Sequence, residues 1–378
     1  MKKSKNNKNE KILLVGGGTG GHVVPLYNIY QFLLEREPDI PVAIIGSGSK
    51  IEQPFFGGLP NYFVLTSGKF QGYDILVNLW QSILFCAGFV QALVYLLQIR
   101  PKIIFAKGGY VTVPILIWAR FLRIPYYIHE SDTVMGRANR FAAKGAKKVF
   151  TGFPEKNYPE LKKSKIIFCG QLITDMEKLD KSERFDFGFT NNNPVVFITG
   201  GSLGAASINK NVFGALSELL PKYNIIHQTG AKSFSEAIDV RVKLPGSMRR
   251  SYFVADFLSA ISGDNKLLSA MELADLVVAR AGATTVAEIA RSGKPMVLIP
   301  YPHAASDHQV KNAQILQKTG ACLMITDREL TPVTLTETIS KLFDDKSKMK
   351  EMTASAKKFF PPHAIEKIGE EIISEVSK

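Results

Sequence analysis

The chain has 378 residues, 46% hydrophobic and 21% charged, with 30 glycines and 19 prolines. That balance excludes a disordered chain, a collagen-like repeat and a coiled coil, and at about 150 residues per domain the length predicts two globular domains. The net charge of +13 is concentrated in the first half: residues 100–165 hold fourteen Lys or Arg against four Asp or Glu, and residues 1–11 five Lys against one Glu. Such a field gathers anions, whether nucleic acid, acidic lipid or a phosphorylated substrate.

In chain order, the basic start runs into an apolar stretch of only Ile12 to Val15 before glycines intervene, too short for a signal peptide. Short β-branched runs then alternate with helical patterns, the mark of βαβ units and a parallel sheet. The first half reads as strand Lys11–Val15, a helix from His22 toward Arg36, strands Pro41–Ile45 and Tyr62–Thr66, strand Lys102–Ala106, a helix after Tyr110, and strands Pro125–His129 and Lys147–Thr151. Between the second pair and Lys102 lies Ile75–Ile99, 25 positions without a charged residue. It is long enough to span a bilayer. Asn78, Gln81, Ser82, Gln91 and Gln98 interrupt it, and its position between two strands of one sheet argues for a buried or membrane-dipping helix.

After a polar stretch at Pro154–Lys165 the pattern restarts, with strands at Lys165–Cys169, Pro194–Thr199, Tyr223–Gln228, Ser251–Val254, Asp275–Ala279, Pro295–Ile299 and Ala321–Ile325, and a loop at Phe185–Asn193. Residues 12–23 (ILLVGGGTGGHV) and 195–207 (VVFITGGSLGAAS) each put a glycine turn between an apolar strand and a helix. The fold class is therefore α/β, two Rossmann-like parallel-sheet domains facing across a cleft. The expected domains are 1–158, completed by C-terminal helices 356–378, and 159–355. Cys86, Cys169 and Cys322 lie far apart without CxxC spacing, so neither a disulfide framework nor a zinc ribbon is expected, and a reducing cytoplasm fits.

Gly16, Gly18 and Gly21 fit GxGxxG, the dinucleotide fingerprint. The second strand, however, runs into Gly46–Lys50 with no acid for the ribose hydroxyls, and His22 stands where a P-loop needs its Lys. At the opening of a helix the dipole disfavours imidazolium, so His22 reads as a neutral base or as a mere cap. A second glycine turn, Gly200–Gly204 with Ser202, can aim backbone N–H groups at a diphosphate, or can be simply a tight connection. A third, Gly282-Ala283-Thr284-Thr285, opens a helix whose Glu288 either accepts ribose hydroxyls or offsets the dipole. Pro302, His303, Asp307, His308, Gln309 and Asn312 follow the next strand as candidate sugar-reading groups. There is no Asp-x-Asp pair and no HExxH, so a carboxylate-held metal is not expected.

Six segments, GGGTGGHVVP at residues 16–25, AKGGYVTVP at 106–114, IHES with MGRANR at 128–140, GGSLGA at 200–205, ARAGATTVAEIA at 279–290 and HxxxDHQxxNA at 303–313, together resemble the MurG family of N-acetylglucosaminyltransferases, in order over nearly the whole chain. The resemblance implies a GT-B fold, UDP-N-acetylglucosamine (UDP-GlcNAc) as donor and undecaprenyl-pyrophosphoryl-muramyl-pentapeptide as acceptor at the cytoplasmic membrane face, with no cofactor required. It implies catalytic roles for His22 as general base and Glu130 as an orienting group. It implies Thr19, Gly20 and Gly21 at the sugar and acceptor, Ser202 at the donor diphosphate, Leu258 at the uracil, Ala283, Thr284, Thr285, Val286 and Ala287 along the nucleotide, Glu288 at the ribose and Gln309 at the donor sugar. Tyr110, Asp132 and Thr174 complete the expected substrate network.

Two departures stand out: HEQN in the family is His129-Glu130-Ser131-Asp132 here, and GNPVR is Gly170-Gln171-Leu172-Ile173-Thr174, without the arginine. The chain also has extra length around Ile261–Ser269. The expected activity is inverting transfer of N-acetylglucosamine to the C4 hydroxyl of the muramyl lipid. The uncharged helix and Arg137, Arg140, Lys144, Lys147 and Lys148 would touch an anionic membrane surface. The departures keep open a related transferase making another glycolipid. GxGxxG alone would suit a nicotinamide oxidoreductase, against which the missing acid speaks. Charge alone would suit a nucleic-acid-binding module, but the basic cluster lacks interleaved aromatics at the spacing a stacking platform would want, so nucleic acid is not an expected partner.

Overall fold

The computed structural model describes residues 11–68, 75–173, 184–258 and 265–378. Thr174 and residues 261–264 of the extra length expected around Ile261–Ser269 lie outside the described residues. The chain divides into two units, Met1–Ile173 with Pro361–Lys378, and Thr174–Phe360.

The first unit runs β1 (Ile12–Gly16), α1 (Gly20–Arg36), β2 (Val42–Gly46), α2 (Gln53–Phe56), β3 (Tyr62–Val64), α3 (Ile75–Ile99), β4 (Ile103–Gly108), α4 (Thr112–Phe121), β5 (Tyr126–Glu130), α5 (Arg137–Ala143), β6 (Lys148–Thr151) and β7 (Ile166–Phe168). Among the described residues these strands form one parallel sheet in the order β3-β2-β1-β4-β5-β6-β7. β1, β2, β4 and β5 are buried from end to end, which is why their sequences read as continuous apolar runs and not as alternation. β7 corrects the expected domain boundary. It was expected to open the second domain, yet it pairs with β6, Val149 opposite Ile166, and so covers a strand that would otherwise be an open edge. The crossing to the second unit comes after Ile173, not after residue 158.

The second unit runs β8 (Val195–Thr199), α6 (Ala206–Leu219), β9 (Asn224–Gln228), α7 (Ala231–Lys243), α8 (Gly246–Arg250), β10 (Tyr252–Ala255), α9 (Lys266–Leu273), β11 (Leu276–Ala279), α10 (Ala283–Ser292), β12 (Met296–Leu298), α11 (His308–Lys318), β13 (Leu323–Met324), α12 (Pro332–Asp344) and α13 (Lys346–Phe359). Its parallel sheet has the order β10-β9-β8-β11-β12-β13. Its core joins Val196, Ile198, Val278 and Val297 of the strands to Ile208, Val212 and Leu216 of α6 and Leu335 and Ile339 of α12. Each predicted strand forms, with ends displaced by at most two residues.

The last helix, α14 (Ala364–Val376), returns to the first unit. Ile368, Ile372 and Val376 are fully buried in the core of β1, β4 and α1, and Gly369 lets the Phe32 ring approach where a Cβ would stand 2.2 Å from it. α13, part of which was expected in the first domain, packs instead on α10 and α12 of the second.

In both sheets the strand order reverses at one point, between β1 and β4 and between β8 and β11. Parallel sheets bind ligands beyond the carboxyl ends of their strands at such switch points. The first and second predicted glycine turns follow β1 and β8, and the third follows β11.

Candidate active site

In the first unit the switch point carries the loops after β1, β4 and β5. Thr19 is the extended residue ahead of α1. Its hydroxyl lies 3.0 Å from His22 Nδ1, so it engages the ring three residues on instead of capping the helix. Thr19 and Gly21 are exposed and Gly20 and His22 partly so. The His22 ring packs beside Gly109, where a Cβ would lie 3.5 Å from Nδ1. Surrounding protein, then the Lys107 ammonium, lower His22 from 6.5 to about 4, with Asp132 and the Gly17 carbonyl pulling weakly the other way. The ring is neutral at pH 7. Tyr110 lies against Gly18, its Cε1 3.1 Å from where a Cβ would be.

Glu130 ends β5 and is buried. Its carboxylate accepts from Asp132 N, Gly136 N and Asn139 Nδ2, each at 3.0 Å. These bonds hold the loop from 131 to 136, so Glu130 positions backbone instead of presenting a carboxylate to a reactant. Burial, then the charge of Asp132, raise its pKa. Asp132 is half-buried, and its carbonyl accepts from Tyr158 OH at 2.7 Å.

Two groups of this unit escaped the sequence reading. Glu52, fully buried, accepts five hydrogen bonds, from Gly18 N at 2.8 Å, Ser47 Oγ at 2.5 Å, Gly48 N at 2.9 Å, Ser49 Oγ at 2.9 Å and Tyr62 OH at 2.6 Å. It is the acid missing from the end of the second strand, six residues further on, but it is spent on the glycine turn and not offered to a ribose. Lys107, 1% exposed, donates to Ser131 Oγ at 2.5 Å. Its signal was a cation closing an apolar strand just ahead of two glycines.

In the second unit, Ser202 and Leu203 stand exposed on the turn between β8 and α6. The turn is fixed by Gly204, whose φ of +74° suits glycine and whose Cβ would meet Thr229 O at 2.0 Å. Gln228 braces it, donating to Gly201 O at 3.0 Å while accepting from Leu258 N at 3.1 Å. Leu258 itself is fully buried, so in this conformation it supports the loop and offers no side-chain surface to a base. Neither α6 nor α10 has a side-chain cap or an acid in its first turn, leaving first-turn N–H groups for an anion. Along α10, Thr284 and Thr285 are half-exposed, whereas Ala283, Val286 and Ala287 are buried and meet solvent through no side chain. Glu288 keeps some exposure, yet the protein packed around it raises its carboxyl from 4.5 to about 7.

Gln309 is half-buried, its Oε1 accepting from Tyr301 N at 2.9 Å. Asn312, read from the sequence as a sugar-reading group, is fully buried and donates to Ala281 O at 3.1 Å. Arg280 was missed as well. It donates to Ile299 O and Pro300 O, each at 3.1 Å, to Asp327 at 2.6 Å and to Ser207 Oγ at 2.7 Å, tying together the loops after β11, β12 and β13 and the start of α6. Among the described residues no three His, Cys, Asp or Glu side chains are grouped to hold a metal ion.

Two doubly wound units, each with a glycine turn and an open helix start at its switch point, match the GT-B architecture of glycosyltransferases. The chain belongs to glycosyltransferase family 28: residues 12–151 match the family's N-terminal domain and residues 195–368 its C-terminal domain. It is 33% identical over 364 residues to the UDP-N-acetylglucosamine–N-acetylmuramyl-(pentapeptide) pyrophosphoryl-undecaprenol N-acetylglucosamine transferase 2 of Bacillus cereus, covering 95% of this chain and 98% of that one. To the transferase of the same description in Geobacter sulfurreducens it is 32% identical, covering 97% and 99%. The crystal structure of Acinetobacter baumannii MurG shares the fold, with a TM-score of 0.72 at 24% identity over 97% of this chain and 99% of that one. The resemblance to the MurG family is borne out.

Proposed function

We propose that this chain transfers N-acetylglucosamine from UDP-GlcNAc to the C4 hydroxyl of undecaprenyl-pyrophosphoryl-muramyl-pentapeptide, with inversion. The substrates named for its relatives support the reading, and the observation that carries it is His22, a neutral imidazole at the first switch point. With the ring proton on Nδ1 and donated to Thr19 Oγ1, Nε2 carries a free lone pair. The acceptor hydroxyl attacks the anomeric carbon opposite the UDP and loses its proton to Nε2, while the bond to the diphosphate breaks. Charge developing on the diphosphate is met by the N–H groups opening α6 near Ser202 and α10 near Thr284. Glu288, whose carboxyl burial raises to about 7, is suited to hydrogen-bond the ribose hydroxyls. The acceptor carries a lipid, and the outer faces of α3, α4 and α5 suit the cytoplasmic surface of an anionic membrane. Leu79, Trp80, Ile83, Val90, Val94, Leu97, Phe121 and Phe141 are exposed there beside exposed Arg120, Arg123, Arg137, Arg140 and Lys144. Lys147 and Lys148, expected in that set, are instead paired with Glu375 and Glu371 of α14.

The test is a transfer assay with UDP-GlcNAc and a muramyl lipid. Wild-type protein forms product, and His22→Ala lowers turnover by about a hundredfold to ten-thousandfold while UDP affinity by calorimetry stays within twofold, a tolerance of about 0.4 kcal/mol. Equal loss of both would remove His22 from the chemistry, and product from a different UDP-sugar in preference would favour another glycolipid.

A further inference from the structure

Lys107 sits in a β-bulge at the first switch point. Val15 pairs with Ala106 but Gly16 pairs with Gly108, so Lys107 is the extra residue on β4. Bulges re-aim side chains, and this one turns a lysine into the protein: it is 1% exposed and its Cβ lies 3.2 Å from where Gly16 would carry a side chain. An ammonium taken out of water costs several kcal/mol unless anions and acceptors surround it. The titratable groups facing it are His22 on α1, His129, Glu130 and Asp132 at the end of β5 and beyond, and Cys169 after β7. Its hydrogen bond goes to Ser131, between the two carboxylates. Glu130, which also accepts from backbone and Asn139, is the stronger countercharge and Asp132 the weaker.

We propose that Lys107 is a positioning residue for the transfer reaction: through Ser131 it holds the turn at 131–132, and it sets a buried cation beside His22 against the carboxylates of Glu130 and Asp132. The inference rests on His22 acting as the base. Burial brings Lys107 itself down to about 8 and outweighs the two carboxylates, so the ammonium still prevails at pH 7. His22 feels two opposed charges, Lys107 disfavouring imidazolium and Asp132 favouring it. Removing one unbalances the ring; removing both restores the balance.

The experiment follows the His22 Cε1–H signal by NMR against pH in the full chain, beside the pH profile of kcat/KM, for Lys107→Met, Asp132→Asn, the double variant and Lys107→Arg. In Lys107→Met the His22 midpoint rises by at least about one pH unit and the acid limb of kcat/KM moves with it, a change of about tenfold in proton affinity. The double variant recovers most of that displacement, and Lys107→Arg, which keeps the cation, stays nearest wild type. A folded Lys107→Met with an unmoved His22 midpoint, or a double variant no better than the single, overturns the proposal. If Lys107→Met fails to fold, Lys107→Gln, which removes the charge but keeps a donor for Ser131, takes its place; a His22 midpoint unchanged there is equally fatal. The NMR midpoint needs no substrate, so failure of the transferase reading shows as absent product with the His22 coupling intact.

Discussion

Glu52 shows how much one side chain holds at the first glycine turn. Two oxygens receive five donors, two of them backbone N–H groups of the loops after β1 and β2. Burial pushes its pKa up, but the hydrogen bonds from Ser47, Tyr62, Gly18 and Ser49 prevail and the net shift is downward. A depressed carboxyl adds stability above its ordinary value of 4.5 and loses it as pH falls through the folded value. Glu52→Gln is therefore expected to cost about 2–4 kcal/mol at pH 7, because an amide group meets donors and a charge-assisted network is lost. Urea unfolding at pH 7 and at descending pH checks it: the gap to wild type narrows below pH 4.5. Glu52 was illegible in the sequence because Gly18, the glycine of the first turn that it braces, lies 34 residues away. His22, Ser202 and Glu288 were legible because each stands within a helical turn of its own glycine motif.

At the scale of elements, α3 separates composition from placement. Its 25 uncharged residues are long and apolar enough to cross a membrane, with 22% of the span buried in the protein. The helix is nevertheless the crossover between β3 and β4 of one sheet. Its inner side buries Ala92, Leu96 and Ile99, while Leu79, Ile83, Val90, Val94 and Leu97 recur at steps of three, four and seven residues on the outer side. The sequence allowed a buried helix, but hydropathy alone could not tell which apolar face the sheet would use. Trp80 is 59% exposed and Val90 63%, so Trp80→Ser with Val90→Ser is expected to change folding stability by less than about 1 kcal/mol in sum, as surface substitutions do. Burying such side chains in lipid gains about 1.5–3 kcal/mol each, so partition onto phosphatidylglycerol vesicles should fall by at least about tenfold. Unaltered sedimentation with vesicles would remove α3 from the membrane surface.

Across the whole molecule, α14 closes the first unit from the far end of the chain. Ile372→Ala empties a fully buried position and is expected to cost about 2–5 kcal/mol, borne by the first unit alone. Both tryptophans, Trp80 and Trp118, belong to that unit. The fluorescence transition in urea should therefore move to lower concentration while the part of the circular dichroism change contributed by the second unit stays where it was.

The sequence by itself determined the α/β class, the strands and the three glycine turns, since those depend on apolar runs and on backbone conformations that neighbouring residues dictate. Only the tertiary structure decided that β7 extends the first sheet, that α14 and not α13 returns to it, and that Lys107, Glu52 and Arg280 stand behind the turns. An unpaired strand edge, an open apolar face and a buried charge each find their partner by distance in space, and local pattern carries no record of that distance.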